Sequence, residues 1–106
     1  MARDDQTKTG TIPASGTLSL TFVPTRSQRW DVLSCSINAP NVGGSAVGRI
    51  FRDSQFVSFF IAQNDTVEGV SIPVGPGRKF IVQWTGATVG ATVQATIWYE
   101  DGETHG

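Results

Sequence analysis

The sequence predicts an all-β domain, a single antiparallel β-sandwich of about seven or eight strands, and three observations carry that reading. The β-branched residues dominate, with 11 Val, 7 Ile and 12 Thr against 3 Leu and 8 Ala, a balance that suits a pleated surface better than a helix. Apolar residues recur at every second position in short runs, the period of a half-buried strand. Turn-forming Gly, Pro, Asn and Ser separate these runs about every ten residues, as in small sandwiches and barrels. No stretch has apolar positions at helical spacing, which excludes strand-helix-strand units and with them a parallel sheet. Alternation leaves the strand order open between a jelly roll and an immunoglobulin-like Greek key, with the jelly roll the first expectation.

Residues 1–10 are polar, mixed in charge and without periodicity, and are read as a flexible N-terminal arm. The sandwich is expected over 11–100, followed by a polar C-terminal tail at 101–106. The run Gly16 to Val23 alternates Leu18, Leu20 and Phe22 with Thr17, Ser19 and Thr21 until Pro24 ends the ladder. Trp30 to Asn38 is apolar on both parities, with Trp30 and Val32 against Leu33, Cys35 and Ile37. That pattern fits a strand covered on two faces or one carrying a bulge. After the turn at Ala39 to Gly44, two runs flank Asp53-Ser54 and read as a hairpin. Its second arm, Phe56 to Ile61, is the most apolar stretch of the chain. Val70, Ile72 and Val74, the turn Gly75-Pro76-Gly77, and then Phe80, Val82 and Trp84 predict a second hairpin. The last run, Ala91 to Tyr99, points Ala91, Val93, Ala95, Ile97 and Tyr99 inward and Thr92, Gln94, Thr96 and Trp98 outward.

Composition and residue inventory exclude most chemistry. Eight Lys+Arg against nine Asp+Glu give a formal charge of −1, so no field draws the chain to nucleic acid or an anionic membrane. One cysteine forms no internal disulfide and the first ten residues contain no apolar leader, which predicts a protein made in a reducing cytoplasm. The sole histidine, His105, lies in the polar tail, where nothing would hold it as a general base. Cys35, in an apolar strand with no cation beside it, reads as a small core residue. One His and one Cys seventy positions apart cannot hold a transition metal. Asn64-Asp65-Thr66 with Glu68 has too few converging oxygens for calcium and reads as a polar loop, while its match to a glycosylation sequon lacks a secretory route. Neither Gly43-Gly44 nor Gly75-Pro76-Gly77 precedes a helix that could receive a phosphate. No catalytic residue, cofactor or metal is expected, and the chain is read as a non-enzyme.

The remaining candidates are interface residues. Trp84 shares a face with Phe80 and Val82 and is expected in the core, whereas Trp98 sits on a hydroxyl-bearing face where it would anchor an interface or stack on a sugar. Six of the eight basic residues are Arg, with Arg26 and Arg29 in one loop, Arg49 and Arg52 around a hairpin and Arg78 after a turn. Arginine suits ion pairs at interfaces because its planar fork binds carboxylates bidentately. Thr7, Thr9 and Thr11 would let the arm pair with an exposed edge of a neighbouring subunit, docking together with the Arg26/Arg29 loop. A domain this small, without covalent staples, gains from shared burial, which predicts a homo-oligomer with a trimer as its first expected form.

The segment Val74-Gly-Pro-Gly-Arg-Lys-Phe-Ile-Val-Gln-Trp-Thr-Gly-Ala-Thr-Val-Gly-Ala91, with the alternating strand after it, resembles small virion proteins of tailed bacteriophages, particularly those of actinobacteria. So do Trp30-Asp-Val-Leu-Ser and Gly48-Arg-Ile-Phe-Arg52. The likeness runs from about Gly16 to Tyr99. It implies a single β-sandwich that decorates capsids, or that belongs to the tail, collar or baseplate, bound to other phage virion proteins such as the major capsid protein. It transfers no catalytic residue, and it places the protein in the virion after synthesis in the host cytoplasm. The competing class is a carbohydrate-binding module, with Trp98 or Trp30 in an exposed groove facing a host-surface glycan.

Overall fold

The computed structural model describes residues 2–24, 28–68 and 71–103. Among them are nine strands and no helix: β1 (Ala2–Thr11), β2 (Leu18–Phe22), β3 (Gln28–Asn38), β4 (Val47–Arg52), β5 (Gln55–Phe60), β6 (Asn64–Val67), β7 (Ile72–Val74), β8 (Phe80–Thr85) and β9 (Thr92–Glu103). They form two antiparallel sheets, one ordered β1-β9-β3-β6 with β7 also on β3, the other β2-β8-β4-β5. β6 and β7 pair with successive parts of β3, so they act as one broken strand. The pairs β1–β9, β2–β8, β3–β6/β7 and β4–β5 then nest inside one another as a long ribbon, and rolling it adds the contacts β9–β3 and β8–β4. This is the jelly-roll order, and it settles the topology that alternation left open.

The sheets differ in length. β9, with 12 residues, spans ~40 Å at the usual strand rise, close to the 44 Å long axis of the molecule, whereas β2, β4, β5 and β8 have five or six residues each. Trp30, Val32, Cys35 and Ile37 of β3 and Val93, Ala95, Ile97 and Tyr99 of β9 face Leu20, Phe22, Ile50, Phe80, Val82 and Trp84 of the short sheet, all buried. Each large apolar side chain so covered contributes ~1.5–3 kcal/mol of transfer free energy. The double parity of β3 has its cause in a bulge: the register with β9 shifts between Val32 and Ser34. The extra residue, Leu33, turns the even positions before it and the odd positions after it to the same side. Trp30 stacks on Tyr99 at 4.3 Å. Trp84 lies edge-on to Phe60 at 5.3 Å and satisfies its indole N–H on the Ala62 carbonyl at 2.9 Å.

Four expectations are corrected here. Residues 1–10 are not a flexible arm: Ala2 to Thr11 pairs with Asp101 to Thr92 without a break. An edge strand needs only its backbone ladder, so it can be polar on both faces and show no hydrophobic period. The tail begins later than expected, because β9 continues through Glu103 opposite Gln28. Asn64 to Val67 is the strand β6 and not a polar loop. The Gly75-Pro76-Gly77 turn forms, with Arg78 N–H donating to the Gly75 carbonyl at 3.0 Å, but it crosses between sheets: β7 pairs with β3, and β8 with β2 and β4. Strands facing each other across a core show the same alternation as paired ones, so period two could not tell these arrangements apart. The Asp53-Ser54 hairpin is present, with β4 and β5 paired on either side.

Two stability tests follow from this architecture. Removing residues 1–9 strips β9 of its outer ladder, so the melting temperature should fall by about 5 °C or more, at ~4–8 °C per kcal/mol for a domain of this size; an unchanged transition would mean that β1 adds nothing to the sheet. Gly48 lies against the Phe60 ring, and a Cβ there would overlap it. Gly48→Ala should therefore cost ~1–3 kcal/mol in urea unfolding, while Gly44→Ala, where a Cβ meets open space, should change little.

Candidate functional site

Among the described residues no three His, Cys, Asp or Glu side chains group as metal ligands. Cys35 is 1% exposed, and burial, with the Asp65 carboxylate adding to it, pushes its thiol up to about 12; it is protonated core filling at neutral pH. Asp65 is held locally, accepting the Ile61 N–H and the Thr66 N–H, both at 2.7 Å. Trp30 and Trp84 are fully buried, which removes Trp30 as a glycan platform. His105 and Arg26 lie outside the described residues. Chemistry is therefore concentrated on three surfaces.

The first is the outer face of the long sheet. Its edge strand β1 and the neighbouring β9 bring Thr7 opposite Thr96, Thr9 opposite Gln94 and Thr11 opposite Thr92, with the Thr7 and Thr96 hydroxyls 2.8 Å apart. Trp98 stands on this face between Asp5 of β1 and Ser34 of β3 and is 42% exposed. Four residues singled out in the sequence, Thr7, Thr9, Thr11 and Trp98, thus share one hydroxyl-rich face, with Asp5 opposite Trp98. The three threonines lie on the domain's own sheet and do not reach toward a neighbour.

The second is the outer face of the short sheet, which the sequence did not single out. The β4–β5 register shifts between Ile50 and Phe51, leaving Val57 unmatched and turning both Phe56 and Phe59 outward beside Phe51. The rings are 6.0 Å apart for Phe51–Phe56 and 4.8 Å for Phe56–Phe59. The Arg49 guanidinium lies 5.8 Å from the centre of the Phe59 ring, within cation–π range. Phe56 is 45% and Phe59 61% exposed, so the most apolar run of the chain is largely surface. The signal for this was the length of the run itself, since a bulge that reverses parity makes both sides of a strand apolar.

The third is a cleft of about 540 Å³ at one end of the sandwich, where the β4–β5 and β7–β8 turns meet the start of β3. Arg29, Arg52 and Arg78 line it with Asp53, Pro73 and Pro76. Asp53, at positive φ, binds the two turns together: its N–H donates to the Lys79 carbonyl at 2.8 Å, and its carboxylate accepts the Lys79 N–H and an Arg78 N–H, both at 3.0 Å. The Lys79 backbone hydrogen bond, with Arg78 beside it, holds this carboxyl below the usual carboxylate range. Of the predicted interface residues, Arg29 lies here, at the far end of the molecule from Thr11, so the expected site is divided between two surfaces.

A small jelly-roll domain with two exposed sheet faces and a cationic end is what fold and surface define. No protein-family model matches the chain, and no curated protein matches it. Among solved structures it is similar to one described as the crystal structure of FLHE, with a TM-score of 0.57 and 12% identity over 94% of this chain and 99% of that one. The likeness is one of fold and carries no link to a virion.

The lowered Asp53 carboxyl fixes the sign of a pH effect. A carboxylate whose folded value lies below its unfolded one adds stability above the unfolded value and loses it as pH falls through the folded one. Between about pH 5 and about pH 2.5 the urea midpoint of the wild type should therefore fall further than that of Asp53→Asn, whose side chain tolerates the same backbone conformation. Parallel curves would show that Asp53 makes no net contribution.

Proposed function

We propose that this chain is a non-enzymatic bacteriophage structural protein, most directly a capsid decoration protein, that binds the particle as a homo-oligomer. The observation that carries the proposal is the aromatic cluster in which the exposed Phe56 and Phe59 lie beside the half-buried Phe51. Solvent-facing aromatic clusters of this kind mark surfaces that are covered in the working assembly. A second copy is the fitting occupant: β5 carries no charged residue, the one cation beside it, Arg49, lies over the Phe59 ring, and the buried rings supply what a small core lacks. The jelly-roll order supports the reading, since viral capsid proteins use it, and so does the sequence resemblance between Gly16 and Tyr99. A trimer is the expected form, and a place in the tail, collar or baseplate is the alternative.

A second reading from another class rests on Trp98. An exposed indole among threonine hydroxyls on a flat sheet is also the surface of a sugar-binding module, and lectins share the jelly-roll order. Immunogold labelling of particles produced by the genome that encodes the chain separates these readings. Label on the capsid supports decoration, label on the tail supports the alternative, and unlabelled particles with binding on a glycan array select the module. In light scattering, Phe59→Ser should shift the protein to smaller species while leaving its circular dichroism unchanged; a wild-type protein that stays monomeric at all concentrations would remove the oligomer from the proposal.

A further inference from the structure

Arg29, Arg52 and Arg78 are far apart in sequence and come from three separate segments, yet they converge on one cleft. Among the described residues Asp53 is the one carboxylate lining it and is already engaged by Arg78 at 3.0 Å, so these residues make the cleft a cationic spot on a chain whose formal charge is −1. It does not end there. A second hollow of about 250 Å³ shares Arg52, Gln55 and Pro73 with it and continues past Phe56, Val57 and Ile72. The two form one groove along the open side of the sandwich, between β5 of the short sheet and β7 of the long one. Each of these strands is paired on one side only, which leaves backbone groups facing the groove.

The lining selects the ligand. Pro73 and Pro76 have no N–H to offer, and the charged donors of the cleft are three guanidinium forks, whose planar geometry fits carboxylates. Among the described residues no aromatic ring lines the cationic cleft, and these offer no stacking surface of the kind that sugar rings and bases use. Past Arg52 the lining is mostly apolar, with Phe56, Val57, Ile72 and Pro73 beside Ser71, and the half-paired β5, which has no proline, can accept an added strand, whereas Pro73 interrupts the edge of β7. From this charge and shape we infer that the groove binds an extended peptide segment of a partner protein, with two or three acidic residues seated among Arg29, Arg52 and Arg78 and apolar residues running on past Val57 and Ile72. This rests on the reading of the chain as an assembly protein and names the kind of partner segment it would grip.

The test uses the full chain and a fluorescein-labelled hexapeptide of three Asp residues followed by Leu-Val-Leu, read by anisotropy. Replacing the three Asp with Asn should weaken binding at least tenfold, as should Arg29→Gln combined with Arg78→Gln, and raised salt should weaken the acidic peptide more than the neutral one. Arg49→Gln, on the aromatic face, should leave the affinity unchanged. Equal binding of the Asp and Asn peptides, or indifference to the double variant while its circular dichroism is native, overturns the inference. So does tighter binding of a sulfated oligosaccharide that competes the peptide off. Particle sedimentation keeps the two proposals apart: a chain that binds the peptide but no particle retains the groove and loses the virion reading. A chain that occupies particles equally with and without the double substitution retains the virion reading and loses the groove.

Discussion

The β3–β9 ladder is the constraint on which the rest of this domain depends. It joins the two longest inner strands, and β1, β6 and β7 belong to the long sheet only because this pair gives them an edge to build on. Its bulge at Leu33 is what makes it a core element over its whole length. Without the extra residue, either Trp30 and Val32 or Cys35 and Ile37 would point to solvent, since a one-residue slip reverses every later side chain. With it, both pairs are buried, and Trp30 reaches the position from which it stacks on Tyr99. A local irregularity thus permits regular packing elsewhere, and the short sheet closes over a continuous apolar surface.

The second bulge, at Val57, acts in the opposite sense. It lies on an outermost strand, where parity reversal cannot bring more side chains into the core, and its effect is to gather Phe56 and Phe59 on the outside. Natural sheets commonly protect such an edge with charge, proline or a cover. β5 has neither charge nor proline, and among the described residues nothing pairs with its outer side. Of the other outermost strands, β1 carries Asp4, Asp5 and Lys8, β6 carries Asp65 and β7 carries Pro73, whereas β2, like β5, has neither charge nor proline. Both edges of the short sheet are thus bare, and of the two only β5 adds exposed aromatic rings, since Phe22 of β2 is buried.

What could be read in the sequence was whatever depends on apolar alternation. The inward set of β9, the half-buried β2, the Asp53-Ser54 hairpin and the outward turn of Trp98 all follow from period two, and the structure has them. The doubled parity of Trp30 to Ile37 narrowed to two explanations, of which the bulge is the one observed. What escaped was what backbone or distance decides. β1 is held by a ladder of N–H and C=O groups that every residue type carries, so its polar sequence looked like an arm. Val74 and Phe80 both face the core, but from opposite sheets, and alternation does not encode which. The arginines were visible singly as Arg29, Arg52 and Arg78, but their convergence depends on three turns meeting at one end of the sandwich, and no local pattern records it.

That convergence also bears on how one small domain can present two kinds of surface. The long sheet and its core partners are rigid because their side chains interlock across the sandwich, whereas the cationic end is assembled from turns fastened by few contacts, chiefly those of Asp53 with Lys79 and Arg78. A positive φ at Asp53 is accepted there because the residue's N–H and carboxylate are both satisfied by the neighbouring turn, so the strain and the fastening have one origin. Arg78 therefore hangs on a firm turn and stays 69% exposed even while it is paired with Asp53. The aromatic face, by contrast, is fixed by a ladder and a bulge and can only match a surface already shaped to it. Fold alone does not dictate function, but an apolar face fixed by a ladder lies beside a cationic cleft carried on turns, so the two surfaces differ in how far each can adapt to what meets it.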